Sequence, residues 1–341
     1  MERVADWQIA NPSKWSPAGW HQSAYYAGVM ALAELSRSSR FEEAMLKMGR
    51  ANNWQLEKRP YHADDHCVGQ TYVALYRRHR DPQMLVPLRE RFDWILAHPK
   101  PEDLSFAPEK KDRNDTWSWC DALFMGPPTW ARLAVVTGEK KYWDFLIDKW
   151  WKTSAHLYDQ EESLYYRDDT YLSHREANGK KIFWSRGNGW VMGGLVRVLA
   201  EMPADNPARA RFVQQFREMS ARLLALQPAD GLWRASLLDP ASYPRPEASG
   251  SGFITYGLAW GINQGLLDRA KFEPAVRKAW QALVACVQSD GRLTHVQPVG
   301  SQPKKDFDAN STEVYGVGAF LLAGSEVYRL ANGTVPQPKA P

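Results

Sequence analysis

The chain has little of what marks several classes of protein. Only three of its 341 residues are cysteine, Cys67, Cys120 and Cys286. An odd number at such wide spacing suits neither a disulfide framework nor a zinc cluster. No apolar run approaches the roughly 18 residues that a membrane span requires, so no membrane partner is expected. There is no long basic tract, and the net charge is only +4. That excludes a dedicated nucleic-acid binder, which concentrates positive charge against phosphates. No G-x-G-x-x-G or G-K-[ST] run follows a strand pattern, so no phosphate loop is expected. The opening "MERVADWQIANP" lacks the apolar core of a signal peptide. The expected location is cytoplasmic, or periplasmic or secreted if a leader has been removed. Aromatic rings are what the chain has in quantity, with 16 Trp and 14 Tyr. They suit a ring-rich core, or a cleft whose flat faces stack on sugars.

The apolar pattern comes in pairs of helices. "HQSAYYAGVMALAELS" precedes "RFEEAMLKMGRANNW", and "DHCVGQTYVALYRRH" precedes "MLVPLRERFDWILAH". Three further pairs begin at "SWCDALFMGPPTWARLAVVTG", "GNGWVMGGLVRVLAEM" and "SGFITYGLAWGINQGLL", and "TEVYGVGAFLLAGSEVYRL" is left over. First members are small, Gly/Ala-rich and nearly uncharged, as helices buried on most sides are. Second members carry charge at regular offsets, leaving one apolar stripe. "MERVADWQIA" supplies the missing outer partner for the last inner helix. Six inner and six outer helices then close a ring, because an open array would leave an apolar face bare at each end. The expected fold is all-α, an (α/α)6 barrel, with residues 1–341 as one catalytic domain. Long segments at 99–116, 158–183, 239–250 and 297–310 precede inner helices and are expected to carry function.

Three stretches hold chemistry-bearing residues. In "YHADDHCVGQTY", residues 61–72, His62 and His66 lie four apart and share a helix face. The zinc pattern H-E-x-x-H is incomplete, since Ala63 replaces its Glu, and no metal is expected. Asp64 suits a helix cap. A cap explains one Asp but not both, which makes Asp65 the pocket candidate, beside His66. In "WSWCDALFMGPP", Asp121 follows Trp119 and Cys120 in an apolar setting. A carboxylate there is a cap, or is kept protonated by burial and so available as a proton donor. In "FWSRGNGW", Arg186 sits between Trp184 and Trp190. Its planar fork suits an anionic ligand, or pairs with Asp65 or Asp121. Trp190 is expected to line the cavity, and Trp184 could equally be packing. Ser249 and Ser251 in "EASGSGFITYG" offer hydroxyls to a carboxylate oxygen, or cap a helix. Glu313 in "NSTEVYG" belongs to a cap or a rim.

Five stretches in this order, "DDHCVGQTY", "WCDALFMGPPTWARL", "FWSRGNGWVMGGL", "SGSGFITYGLAWGINQGLL" and "STEVYGVGAFLLAGSEVYRL", resemble the unsaturated rhamnogalacturonyl hydrolases of glycoside hydrolase family 105. That family is similar to the unsaturated glucuronyl hydrolases of family 88. The resemblance implies an (α/α)6 barrel with a pocket at one mouth. It also implies an activity that removes 4,5-unsaturated uronic acid from the non-reducing end of lyase-generated oligosaccharides, without a cofactor. It implies that Asp121 is the general acid/base, that Asp65 is the second pocket carboxylate, and that Arg186 and Trp190 bind substrate. Many relatives carry a pocket histidine after the third hairpin. Here that region reads "SLYYRDDTYLSHRE", with Arg167 or Asp168 in its place and His174 displaced. His66, Trp119, Arg167, Ser249 and Ser251 complete the expected substrate-binding set.

The substrate's C4=C5 bond is an enol ether. An acid protonates C4, positive charge spreads from C5 onto the ring oxygen, and water attacks C5. The hemiketal then opens and releases the leaving sugar. A glycosidase or epimerase acting on saturated sugars is the rival within enzymes, and a non-catalytic carbohydrate-binding protein is the rival outside them. Unsaturated uronyl oligosaccharides are the expected partner, and the chain is expected to be a monomer or homodimer.

Overall fold

The computed structural model describes residues 1–107, 109–110 and 112–333. Pro108 and Lys111 of the expected loop 99–116, and the last eight residues of the expected domain, lie outside the described residues. The helices are α1 (Glu2–Ala10), α2 (Trp20–Ala33), α3 (Arg40–Ala51), α4 (Ala63–His66), α5 (Gly69–His79), α6 (Val86–Ala97) and α7 (Ala122–Met125). They continue as α8 (Pro127–Thr137), α9 (Lys140–Leu157), α10 (Ser185–Leu199), α11 (Arg209–Ala225), α12 (Ala248–Asn263), α13 (Arg269–Ala285) and α14 (Val314–Asn332). A two-stranded hairpin, β1 (Tyr158–Asp159) and β2 (Leu164–Tyr165), pairs antiparallel with Tyr158 opposite Tyr165.

The inner ring runs α2, α5, α8, α10, α12, α14 and back to α2, each helix packed on the next. Short α4 and α7 lead into α5 and α8. The outer helices α3, α9, α11 and α13 pack on α2, α8, α10 and α12 respectively, and α1 packs on α14 as its pattern predicts. The fold is therefore the expected all-α (α/α)6 ring. Every residue of α10 is buried. Outer α11 buries only Phe212, Gln215, Phe216, Met219, Ser220 and Leu223, a single stripe at helical spacing. Inner and outer helices thus differ in burial as their compositions require.

Two glycines let inner helices meet backbone to backbone. A Cβ added to Gly28 of α2 would lie 2.5 Å from the Gly318 carbonyl oxygen of α14, and one on Gly318 would strike the Ala24 carbonyl. Neighbouring backbone cannot yield as a flexible side chain could, so only glycine fits at this seam.

The turns from inner to outer helices are short, such as Gly138–Glu139 between α8 and α9. Those from outer to inner helices are long and form one mouth. The inner helices all begin there, so their positive dipole ends gather at that mouth. Near their C-terminal ends Arg77 pairs with Glu201 and Arg329 with Glu326. Cations at helix C-termini are the complementary choice. Among the described residues, no helix is long and apolar enough to cross a membrane.

Gly28→Ala is expected to destabilise the ring by about 1–3 kcal/mol in urea unfolding, the usual cost of overpacking a tight core. An unchanged midpoint would show that the seam has slack.

Candidate active site

Because the inner helices start at one mouth, residues far apart in sequence meet there. Asp121 stands at the entrance to α7 and makes no side-chain cap bond, so the capping alternative is not realised. Its carboxyl lies 3.7 Å from the Arg167 guanidinium and 3.5 Å from Cys120 Sγ. Burial pushes its pKa up, while Arg167 and then Arg186 pull it back. Arg167 is held over the Phe106 ring at 4.6 Å and donates to Asp168 at 2.6 Å. Its backbone carbonyl accepts from the Cys120 amide at 2.8 Å, which ties the 158–183 loop to Asp121. Of the residues the sequence offered here, Arg167 lies beside Asp121, Asp168 holds Arg167, and His174 is exposed.

The second carboxyl at the mouth is Asp64. His62 rather than Asp64 caps α4, its Nδ1 accepting from the Asp64 amide at 3.3 Å. That frees the Asp64 side chain, which keeps 16% of its surface and feels the charge of Asp121. Burial first, then Asp121, push its pKa up to about 7. Asp65, expected as the pocket carboxylate, points the other way. It is 2% exposed and accepts from the Arg59 amide at 2.7 Å and the Arg59 guanidinium at 2.5 Å. Asp65 thus folds residues 59–61 back onto α4, and the expectation for it is corrected to Asp64.

His66 is also corrected. Its ring is fully buried, with Nε2 donating to the Pro60 carbonyl at 2.7 Å and Nδ1 accepting from Trp130 Nε1 at 3.3 Å. Neither nitrogen is left for a ligand. His62 is the histidine near the carboxyl pair, beside Trp119 at 4.9 Å between ring centroids and against Asn114 at 2.8 Å. Burial, then the charge of Arg59, push its pKa down to about 3, so the ring is neutral. Among the described residues, no three His, Cys, Asp or Glu side chains converge as a metal cluster requires.

Arg186 is fully buried but pairs with neither Asp65 nor Asp121. Its Nη1 donates to the Gln297 carbonyl at 2.6 Å and its Nη2 to the Pro298 carbonyl at 3.1 Å. The guanidinium lies between Trp184 and Tyr315, 4.4 and 4.9 Å from their ring centroids. It anchors the 297–310 loop and contributes positive potential at Asp121 from a distance. Trp190 is fully buried against Phe253, Phe124, Trp20 and Tyr315, which puts it beneath the mouth as packing.

Ser249 and Ser251 meet a carboxylate, but the protein's own. Glu247 caps α12, its oxygens accepting from the Ser249 amide and hydroxyl at 2.9 and 2.6 Å and from the Gly250 amide at 2.6 Å. The Gln297 amide adds a fourth donor at 3.1 Å. Ser251 Oγ accepts from the Trp233 amide at 2.9 Å. Both serines are fully buried, so their expected part in substrate binding is corrected to a structural one.

Sequence reasoning missed three features besides Asp64. Glu247 is one. The second is His62, passed over for His66. The third is an aromatic stack in which His21 lies between Trp15 and Trp20, at 3.8 and 3.7 Å between centroids. The run "KWSPAGWH" just before α2 was the available signal. Burial, then Arg186, push His21 down to about 4. Trp15 Nε1 donates to Glu313 at 3.1 Å, joining this stack to the last entry loop.

Fold and site together define a glycoside hydrolase built on a helical ring: a buried carboxyl pair, one guanidinium and aromatic walls at the mouth. The chain belongs to Glycosyl Hydrolase Family 88, whose sequence profile matches residues 1–331. It is 42% identical over 340 residues to an "Unsaturated 3S-rhamnoglycuronyl hydrolase" of Formosa agariphila, a match covering 97% of this chain and 90% of that protein. A protein of the same name from an Alteromonas species is 34% identical, with 96% of this chain and 84% of that protein covered. The solved structure of a family 88 glycosyl hydrolase from Bacteroides vulgatus superposes with a TM-score of 0.86 at 31% identity, over 96% of this chain and 98% of that one.

Asp64 makes stability depend on pH. Its folded-state pKa of about 7 lies above the ordinary 3.8, so between these values the folded state binds more protons than the unfolded state. Stability from this group is complete below the lower value and is lost as pH rises through the higher one. Asp64→Asn carries no such charge. Its Tm relative to wild type is expected to rise between about pH 4 and about pH 8, as read by thermal melts. A difference that stays constant with pH would contradict the burial of Asp64.

Proposed function

We propose that this protein removes the 4,5-unsaturated uronic acid from the non-reducing end of lyase-generated oligosaccharides, and that the sugar released is rhamnose-linked, as in the names of its two relatives. The observation that carries the reading is Asp121, held beside the Arg167 guanidinium at the mouth of the ring, with Asp64 near enough to feel its charge. Burial raises the pKa of both carboxyl groups, and the charge of Asp121 raises that of Asp64 further, so the site can hold a proton near neutral pH. Protonating an enol-ether carbon needs such an acid, and activating water needs a base.

The geometry suits the substrate's charge as well. A uronate brings a carboxylate into a site where inner-helix N-termini, Arg167 and, at longer range, Arg186 supply positive potential. The stack of Trp15, His21 and Trp20, which is only half-buried, offers ring surface for the sugar face. Proton delivery to C4 leaves an oxocarbenium ion spread over C5 and the ring oxygen. Water adds to C5 as the second carboxyl takes its proton. The C5–ring oxygen bond of the hemiketal then breaks, giving a C5 ketone. The hemiacetal left at C1 expels the leaving sugar. The reaction does not displace at the anomeric carbon, so the carboxylate spacing that separates retaining from inverting glycosidases does not apply.

Asp121→Asn is expected to lower turnover by about 10²–10⁴-fold, the range usual for lost acid–base help. The readout is the fall in ultraviolet absorbance as the unsaturated uronate is consumed, with circular dichroism confirming an intact fold. Wild-type turnover in this variant would refute the role of Asp121. Hydrolysis of the corresponding saturated disaccharide at a comparable rate would instead favour an ordinary glycosidase.

A further inference from the structure

Away from the mouth, α5, α8 and α10 bring arginines together with few acceptors between them. Arg77, in the last turn of α5, donates to both oxygens of Glu201, at 2.9 and 2.7 Å. Arg132 of α8 approaches the same Glu201 Oε1 that Arg77 Nη1 holds, but only to 3.5 Å, too far for a strong hydrogen bond. Arg197, in the last turn of α10, lies four positions before Glu201, and its Nε donates to Gln70 Oε1 on α5. Gln70 is fixed in turn, its Nε2 donating to the Phe124 carbonyl at 2.9 Å. One carboxylate and one amide oxygen therefore serve three guanidinium groups.

Arg132 is the one left short. A guanidinium carries several N–H donors in a fixed fork. Among the described residues, Arg132 Nε is buried with no acceptor, and the long contact to Glu201 is the ion pair its fork makes. The side chains of Arg132 and Arg77 keep 15% and 17% of their surface, and Arg197 is 6% exposed. A cationic donor withdrawn from water without an acceptor is costly. Burial, then the charge of Arg197, push the Arg132 pKa down to about 10, against the pull of Glu201. The neighbouring charges do not make up the difference. Arg329 is shared by Glu326 at 2.6 Å and Glu34 at 2.9 Å, and Tyr256 of α12 faces Arg197. Four guanidinium groups at this end thus stand against three carboxyl groups. A water molecule would accept from Arg132 Nε but leave that charge uncompensated, whereas an oxyanion supplies both acceptor and charge.

We propose that this end of the ring binds a small tetrahedral oxyanion of the phosphate or sulfate kind, held by the guanidinium groups of Arg132 and Arg197. Guanidinium forks match such oxygens in both geometry and charge. Glu201 does not bar an anion, because both its oxygens are taken by Arg77. Gln70 holds Arg197 by its Nε, which leaves the outer edge of that fork for the ligand and Tyr256. The bound anion joins α8 to α10, and the Arg77–Glu201 pair joins both to α5, so three inner helices are tied together at their far ends. The inner helices start at the mouth that holds Asp121, and Arg77 and Arg197 lie in last turns, so this site is separate from the carboxyls there. It does not rest on the uronyl hydrolase reading.

The test is a series of thermal melts of the intact protein in rising inorganic phosphate, and separately in rising sulfate, with chloride adjusted to hold ionic strength constant. Both salts raise Tm weakly and without saturation through exclusion from protein surfaces, whereas a bound anion gives a rise that follows its occupancy. The expected result is a saturating rise in wild type with at least one of the two. In Arg132→Gln its half-saturation is expected to move up by about tenfold or more, the factor set by a lost charge-assisted hydrogen bond. Arg167→Gln, at the mouth, is expected to respond as wild type does. Where Arg132→Gln does not fold, Arg132→Lys carries the test. It keeps the charge but lacks Nε and the planar fork, and the same direction is expected. The absence of saturation with both anions in wild type would overturn the proposal, as would an unchanged half-saturation in the Arg132 variant. Loss of the response in Arg167→Gln would place the anion at the mouth and overturn it too. Turnover of lyase-generated disaccharide bears on the hydrolase reading alone.

Discussion

The structure depends on six inner helices that all enter the ring from the same end. Their backbones pack closely enough that Gly28 and Gly318 admit no side chain between them. At the entry mouth, amide-rich helix starts converge and polar side chains from distant segments are held in a poorly solvated space. Burying a carboxyl there costs free energy unless it finds donors, a cation or a proton. The carboxyls near the mouth adopt different solutions. Glu247 takes four hydrogen-bond donors, Asp65 takes Arg59, Asp121 takes Arg167, and Asp64, whose pKa burial and Asp121 push up, is the one most readily protonated.

That division separates architecture from chemistry. Glu247 and Arg186 are charged and fully buried, and both serve the loops. Glu247 joins the start of α12 to Gln297, and Arg186 grips the carbonyls of Gln297 and Pro298 from α10. Two inner helices and the 297–310 loop are thereby set against each other by hydrogen bonds that leave no room for slippage. Asp64 and Asp121 are less completely satisfied and retain a little exposure. Unsatisfied polar groups opening on a cavity are the ones available to react, because a ligand can supply what the protein withholds. Burial holds His62 and His21 far below the ordinary histidine range, so neither ring adds charge, and half-buried His21 adds surface.

Much of the fold was legible because inner and outer helices differ in kind. "GNGWVMGGLVRVLAEM" has no charge until its final turns, whereas "ARARFVQQFREMSARLLAL" alternates charge with one apolar stripe, and the two patterns imply different burial before any contact is known. The leftover last helix and the unpaired first one implied ring closure in the same way. Asp121 was legible as an acid in an apolar run, and the "YYRDD" segment marked Arg167 or Asp168 as a departure from the resembled family. The choice between Asp64 and Asp65 was not legible. At 3.6 residues per turn, adjacent positions on a helix point about 100° apart, so one residue decides between the pocket and Arg59. Nor could spacing show that the hydroxyl of Ser249 would be taken by Glu247, only two positions away, rather than by a ligand.

The sequence by itself determined the helical ring, its inner and outer layers, and which segments form the mouth. These follow from local composition and periodicity, which act over one or two turns of helix. Only the tertiary structure decided which side chains face the cavity and what state of charge they hold. Those properties come from neighbours supplied by other helices: Asp121 is set by Arg167 on a hairpin 46 positions later, and Arg186 by carbonyls 111 positions away. Electrostatic energy depends on distance and solvent access in space, and neither is written in the order of residues along the chain.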